Sequence, residues 1–196
     1  NLETIIFEKD SELSSIGESS FLGCTSLTYI TLPVCVRSIG ETAFCHSGIK
    51  NLTIPDNVNI INKGICEGCD DLQNVTIGKG VTDIKEFAFQ SCKSLNIVNI
   101  KSTSITIIEK GSFENCKELS HFTLPEQSNQ KFEIKPDAFK NIQHNITLPS
   151  GCKYPGDKTI LKEINSTEFT YNTDEKSIIM NGKTYDILYD YQNNTY

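Results

Sequence analysis

Residues 84–100 read IKEFAFQSCKSLNIVNI, and residues 39–58 read IGETAFCHSGIKNLTIPDNV. Both stretches carry two apolar patterns in the same order. The first is Ile84, Phe89, Cys92 and Leu95, an isoleucine followed after four intervening residues by phenylalanine and then by apolar residues at every third position. The second continues from the leucine as apolar-x-x-apolar-x-apolar. Patterns that recur in phase along a chain are the sequence signature of a repeat fold.

The second pattern recurs at nearly constant spacing. Its copies are Leu2-Ile5-Phe7, Leu27-Ile30-Leu32, Ile49-Leu52-Ile54, Leu72-Val75-Ile77, Leu95-Val98-Ile100, Leu119-Phe122-Leu124 and a partial copy with Ile146 and Leu148. The first pattern is repeated at Ile16-Phe21-Cys24, Ile39-Phe44-Ser47, Ile61-Cys66-Cys69, Ile84-Phe89-Cys92, Ile108-Phe113-Cys116 and Ile134-Phe139-Ile142. The period is roughly 22 to 25 residues, inside the leucine-rich range of about 20–29.

Each repeat is predicted to form one coil of a solenoid, because a single coil cannot bury its apolar side alone. Period-two alternation, as in Leu52-Thr53-Ile54, predicts a short strand in every coil. We therefore predict an α/β-type but mostly β, right-handed leucine-rich repeat solenoid over residues 1–150. It has six to seven coils, with a parallel sheet on one face. The Ile-x4-Phe half, with glycine near its start, predicts a single helical or 3₁₀ turn that closes the coil.

These residues resemble the BspA-like leucine-rich repeats of bacterial and protozoan surface proteins, whose consensus is close to I-G-x-x-A-F-x-x-C-x-x-L-x-x-I-x-I-P. The resemblance covers roughly residues 1–150, and Phe, Cys, Leu and Pro all fall in register. It implies a cell-surface or secreted protein that adheres to host, matrix or other cell-surface proteins. The family has no catalytic residues to carry over, and we predict no cofactor and no metal for this chain.

Residues 151–196 do not follow the repeat. Three short strands are predicted there, in residues 168–172, 177–180 and 184–191, with Asn181-Gly182 as a hairpin turn between the last two. A small C-terminal β cap over the last coil would shield its apolar edge from water. The start of a following domain is the alternative.

The eight cysteines offer a metal or disulfide interpretation. Cys66 and Cys69 form a C-x-x-C pair, but they occupy the Phe and Cys positions of the repeat, so the repeat already explains their spacing. Cys24, Cys69, Cys92 and Cys116 are predicted to form a buried column of thiols, and a disulfide within that column stays open as an alternative. The disulfide state of Cys35, Cys45 and Cys152 is left open.

The composition argues against several classes of function. The formal net charge of −7 is unfavourable for a nucleic-acid partner, and no apolar run is long enough to insert into a membrane. No nucleophile, base or phosphate-binding motif has recognisable spacing, so we predict that the chain is not an enzyme. Because the chain begins at Asn1 without an apolar signal segment, we expect a fragment or a mature portion.

Five N-glycosylation sequons are present, at Asn51, Asn74, Asn145, Asn165 and Asn193. They are compatible with secretion, although a chain this rich in Asn, Ser and Thr contains about three by chance. A cytoplasmic location stays open as the alternative.

The exposed side of the predicted sheet is the candidate binding surface. Its predicted contact residues are Tyr29, Asn51, Asn74, Ile97 and His121 in one column and Thr53, Thr76 and Asn99 beside them. Aromatic and apolar residues among uncharged polar groups are typical of protein recognition. The alternative is a structural spacer with no ligand of its own, in which threonine is simply a good solvent-facing strand residue.

Overall fold

The structure, a computed structural model, describes residues 2–125, 132–144, 146–149, 168–172, 177–180 and 183–186. Two rows of short strands run along it. The first row is β1 (Thr4–Ile5), β3 (Tyr29–Ile30), β5 (Asn51–Ile54), β7 (Asn74–Ile77), β9 (Ile97–Ile100), β11 (His121–Thr123) and β13 (Ile146–Pro149). The second row is β2 (Ser15–Ile16), β4 (Ser38–Ile39), β6 (Ile60–Ile61), β8 (Asp83–Ile84), β10 (Ile107–Ile108) and β12 (Glu133–Ile134). The six strands of the second row bound five full turns of a parallel solenoid, and partial coils flank them.

Strands β5, β7, β9 and β11 form a parallel sheet in which equivalent residues of successive coils pair directly. Asn51 pairs with Asn74, Asn74 with Ile97, and Ile97 with His121. Inward residues such as Leu52 and Val75 are buried, while the residues between them face outward. Residues at the same repeat position therefore lie next to each other in columns across the surface of the sheet, as predicted.

The segment that closes each coil is not a helix, and the predicted helical or 3₁₀ turn is wrong in the residues the structure describes. It is a run of turns with two left-handed residues per coil, such as Thr42 (φ 52°) and His46 (φ 53°). Between coils, the backbone N–H groups of Thr42, Phe44 and His46 donate to Lys63, Ile65 and Glu67 at 3.0, 2.8 and 2.8 Å. These bonds compensate the cost of about 1–2 kcal/mol for each left-handed residue.

Phenylalanine rings stack along the core. Phe113 lies between Phe89 and Phe139, with ring centroids 5.3 Å apart on both sides, and Phe122 meets it edge-on at 5.4 Å. Cys66 replaces phenylalanine in the middle of the stack and is fully buried. The hydrophobic core is thus one continuous column rather than a set of separate clusters.

The C-terminal strands β14 (Glu168–Asn172), β15 (Ser177–Met180) and β16 (Lys183–Asp186) pair antiparallel in chain order, and β14 pairs with β13. The first two match the predicted strands, while the third begins one residue earlier. The predicted Asn181-Gly182 turn and the end of the predicted third strand lie outside the described residues. Antiparallel pairing is expected of a cap and of a separate domain alike, so both predictions stand.

Candidate functional site

The outward side of β3, β5, β7, β9 and β11 is here called the sheet face. Its middle column contains Tyr29, Asn51, Asn74, Ile97 and His121. The columns on either side contain Thr31, Thr53, Thr76, Asn99 and Thr123, and Thr28, Lys50, Gln73, Asn96 and Ser120. All these side chains are exposed or half-buried, and none is acidic although the chain carries a net charge of −7. The sheet face is therefore a region of low negative charge on an acidic protein.

Polar side chains on the sheet face bond to each other between coils. The Asn74 side-chain amide donates to Asn51 Oδ1 at 2.8 Å, and Thr123 Oγ1 donates to Asn99 Oδ1 at 3.2 Å. These bonds fix the orientation of groups that would otherwise rotate freely. Fixed polar groups lose less entropy on binding a ligand than mobile ones do.

His121 is oriented by a chain of hydrogen bonds. Asn96 Nδ2 donates both to the Glu118 carbonyl at 3.0 Å and to Ser120 Oγ at 3.1 Å. Ser120 Oγ lies 2.8 Å from His121 Nδ1. The serine oxygen has two lone pairs, so while it accepts from Asn96 it can either donate to Nδ1 or accept from an Nδ1–H group. In the assignment in which Ser120 donates, His121 keeps its Nε2–H group as a donor.

Two large apolar side chains protrude from the middle column. The exposed fraction is 57% for Tyr29 and 39% for Ile97. Thr31 Oγ1 donates to the Tyr29 hydroxyl at 3.0 Å, so the ring lies along its own strand. Ile97 has a close counterpart on the second row of strands, where Ile60 in β6 is 40% exposed.

The cysteine column is structural in the described residues. Thiols of Cys69, Cys92 and Cys116 each donate to a main-chain carbonyl of the preceding coil, at 2.9 to 3.0 Å. Cys24, at the first coil, is only half-buried, and no disulfide joins the described cysteines. Burial raises the pKa of Cys66 and Cys92 well above the usual value of a thiol. Burial, aided by the charges of Glu67 and Cys69, raises the pKa of Cys45 to about 11.

No cluster of three or more His, Cys, Asp or Glu side chains in the described residues could hold a metal ion. In the part of the chain that the structure describes, no ion pair includes a side chain of the three columns, and the pair of Lys93 with Asp70 at 2.9 Å is solvated. The described part of the chain also contains no helix with the length and apolarity that a membrane crossing requires.

The structure brings all eight predicted contact residues onto the sheet face, in neighbouring columns. Asn96 and Ser120 were not among them, although both orient His121. The sequence signal that could have identified them is Ser120-His121, which follows Asn96 by one repeat. The sequons at Asn51 and Asn74 lie on this same face, where a glycan would cover it. The sequons at Asn145, Asn165 and Asn193 lie outside the described residues.

The coils, their register and the phenylalanine-cysteine core define a leucine-rich repeat solenoid. The profile of the BspA type leucine rich repeat region matches in six copies over residues 1–119 and 37–161. The chain belongs to this family. No curated protein matches it.

Solved structures of bacterial leucine-rich repeat proteins share the fold. A leucine-rich repeat protein from Eubacterium ventriosum is 26% identical with a TM-score of 0.60, and the match covers 67% of this chain and 35% of that one. A leucine rich cell surface protein from Faecalibacterium prausnitzii is 24% identical with a TM-score of 0.56, over 64% of this chain and 32% of that one. A leucine-rich repeat protein from Bacteroides ovatus is 24% identical with a TM-score of 0.53, over 78% and 44%. The chain therefore spans about a third of the length of the first two.

Proposed function

We propose that this chain is a non-enzymatic protein-binding module of a cell-surface or secreted adhesin, and that it binds through the sheet face. The observation that carries the proposal is Ile97, which is 39% exposed between the polar side chains of Asn74 and His121 in the middle column of the sheet face. An apolar side chain ringed by polar groups is the arrangement found at the centre of protein interfaces.

Membership of the leucine-rich repeat family supports a protein-interaction or scaffold role. Adhesion to a host, matrix or other cell-surface protein, and surface display or secretion, rest on the resemblance to BspA-like surface proteins. The protein from Faecalibacterium prausnitzii, whose fold is similar, is described as a cell surface protein. The sequons are compatible with the same location, and binding through the sheet face requires Asn51 and Asn74 to stay unglycosylated because a glycan there would cover it.

A photocrosslinking experiment tests the proposal. Benzoylphenylalanine is introduced at Asn99, which is exposed on the sheet face, or at Ile60, which is exposed on the second row of strands. Each full-length variant is irradiated with purified fibronectin, laminin and collagen, and with surface proteins of host cells. Crosslinks from position 99 alone support binding through the sheet face. Equal crosslinking from both positions, or none from 99, refutes it.

The rival function is a structural spacer. Threonine recurs at Thr31, Thr53, Thr76 and Thr123, as expected where a strand only needs a stable solvent-facing residue. A spacer would tolerate any polar substitution on the sheet face without a change in ligand binding. Absence of crosslinks from position 99 to every protein tested would favour the spacer.

A further inference from the structure

The most exposed apolar side chains lie on the first two coils of the solenoid. Among the described residues, the highest exposed fractions of a large apolar side chain are 84% for Ile6, 83% for Val34 and 57% for Tyr29. A single exposed apolar side chain is ordinary, but several in one place mark an interaction surface. These three residues are here called the apolar patch.

Ile6 and Tyr29 lie beside a common neighbour. The register of β1 with β3 places Ile6 next to Thr31. Thr31 Oγ1 donates to the Tyr29 hydroxyl at 3.0 Å, so the tip of the tyrosine also lies at Thr31. Val34 follows Thr31 by three residues in the same coil. The apolar patch therefore spans two neighbouring coils.

Carboxylates flank the apolar patch on both sides. Glu3 lies directly before β1, and the loop of residues 8–12, which follows β1, contains Glu8, Asp10 and Glu12. All four side chains are exposed, and a single lysine lies among them. None of the four carboxylates forms an ion pair with another described residue. The negative charge around the patch is therefore not compensated by the described residues.

Hydrogen bonds hold the acidic loop beside the patch. The Cys35 thiol donates to the carbonyl groups of Ser11 and Leu13 at 2.9 and 3.2 Å. Because Cys35 directly follows Val34, these bonds place the loop next to one end of the patch. The chain advances five residues from Glu3 to Glu8, or about 16 Å in an extended conformation. A ligand that contacts the carboxylates on both sides must span a similar distance.

The charge of this surface discriminates between classes of partner. Uncompensated carboxylates repel nucleic acids and anionic membrane surfaces. A second copy of the chain would bring like charges together, since the net charge is −7. A protein segment with basic residues on both sides of an apolar centre gains hydrophobic burial and electrostatic attraction together.

We propose that the apolar patch binds an extended basic segment of a partner protein, with apolar residues at its centre and Lys or Arg at both ends. The apolar centre covers Ile6, Tyr29 and Val34, and the basic ends lie at Glu3 and at the loop of residues 8–12. This inference goes beyond the proposed function, because β1 and the loop after it lie outside the sheet face.

The test titrates the full chain, labelled with ¹⁵N, with the acetylated and amidated peptide Lys-Lys-Val-Ile-Val-Lys-Lys. One control peptide, Lys-Lys-Ser-Gly-Ser-Lys-Lys, keeps the charge without the apolar centre. The other, Glu-Glu-Val-Ile-Val-Glu-Glu, keeps the centre with the opposite charge. We expect the first peptide to shift amide signals of β1, β3 and residues 8–12, and not those of β9 and β10. It should bind about tenfold more tightly than either control.

Two pairs of variants separate the apolar and the charged contribution. Ile6→Ser should weaken binding of the first peptide about tenfold, whereas Ile60→Ser, on the second row of strands, should not change it. Glu8→Gln should weaken binding about two- to fivefold, whereas Glu86→Gln, at an exposed carboxylate of another coil, should not change it.

Equal affinities for the three peptides, equal effects within either pair of variants, or shifts centred on another part of the chain would overturn the proposal. Sedimentation of the chain alone tests the second copy, because a dimer that Ile6→Ser dissociates would mean that another copy covers the patch, and would also overturn it. Crosslinks from position 99 with no binding of the basic peptide refute this inference alone. Binding of the peptide at the patch with no crosslink from position 99 supports this inference and refutes the proposed function.

Discussion

The imidazole of His46 lies over Gly68 of the next coil, where a Cβ atom would stand 2.3 Å from the ring. The same relationship joins Phe87 to Gly111, whose Cβ would be 2.6 Å from the phenyl ring. A left-handed residue with a large side chain therefore requires glycine at the equivalent position of the following coil. Two such pairs of small polar residues hydrogen-bond instead: Asn141 Nδ2 donates to Asn115 Oδ1 at 2.8 Å, and the Ser19 and Thr42 hydroxyls lie 2.8 Å apart.

Replacing Gly68 with alanine should destabilise the protein more than the same change at Gly23. Both glycines have a left-handed backbone, with φ of 67° and 69°, so both substitutions carry the same backbone cost of about 1–2 kcal/mol. Only Gly68 has a neighbour in the way, because nothing lies within 4 Å of a Cβ at Gly23. We expect an additional loss of about 1–3 kcal/mol for Gly68→Ala, measured by urea unfolding. Equal losses would mean that His46 does not cover Gly68.

The phenylalanine stack predicts a graded response to truncation. Phe113 is fully buried between two stacked rings, and Phe113→Ala should cost about 3–5 kcal/mol of unfolding free energy. Phe21 is half-buried and stacks only on Phe44, with centroids 5.3 Å apart, so Phe21→Ala should cost roughly half as much. Urea unfolding of the two variants compares their losses of unfolding free energy. A larger loss for Phe21→Ala than for Phe113→Ala would contradict the continuous core.

Alkaline pH should weaken the fold through Cys45, Cys66 and Cys92, the buried thiols whose pKa is raised. An unfolded thiol ionises near pH 8.5, whereas the folded pKa of Cys45 is about 11. The folded state then holds a proton that the unfolded state has lost. The stabilisation is therefore complete below about pH 8.5 and is lost as the pH rises towards 11.

Urea unfolding at neutral pH and at about pH 10 measures this loss. Each such thiol lowers the unfolding free energy by at most about 1.4 kcal/mol per pH unit in that window. Cys45→Ala should show a shallower decline than the unsubstituted protein, which separates the thiol from other groups that ionise at alkaline pH. The same slope in both proteins would show that Cys45 is not shielded from water.

The bonding chain to His121 predicts one tautomer of its neutral ring. With Ser120 donating to Nδ1, the proton should reside on Nε2. Long-range ¹H–¹⁵N spectra at a pH where the ring is neutral distinguish the two nitrogens. In Ser120→Ala, both tautomers of the neutral His121 ring should be populated, while Ser38→Ala should keep the single tautomer. A proton on Nδ1 in the unsubstituted protein would contradict donation by Ser120.

The coils and their core were predictable because apolar spacing alone determines which residues face inward. Leu52, Val75 and Val98 occur at one repeat position and are buried in one column. The turn was not predictable to the same degree. Thr42, His46 and Phe87 adopt the left-handed backbone without being glycine, and hydrogen bonds from their N–H groups to the next coil stabilise that conformation.

The candidate site also has a part that the sequence predicts and a part that it does not. Period-two alternation placed Tyr29, Ile97 and His121 on one face, since register follows from the repeat length. The direction of the hydrogen bonds on that face depends on side chains from two or three coils together. Asn96 matters because its amide lies beside Ser120 of the next coil, a contact that is 24 residues apart in sequence.

The most direct test of the binding face compares two isoleucines of equal exposure. Ile97 is 39% exposed on the sheet face, and Ile60 is 40% exposed on the second row of strands. Each is replaced by lysine, and the dissociation constant for the protein that crosslinks to position 99 is measured by calorimetry. We expect Ile97→Lys to weaken binding about 30-fold, as for a central contact of a protein interface, and Ile60→Lys to leave it unchanged. Equal effects of the two substitutions, or a larger effect of Ile60→Lys, would contradict recognition through the sheet face.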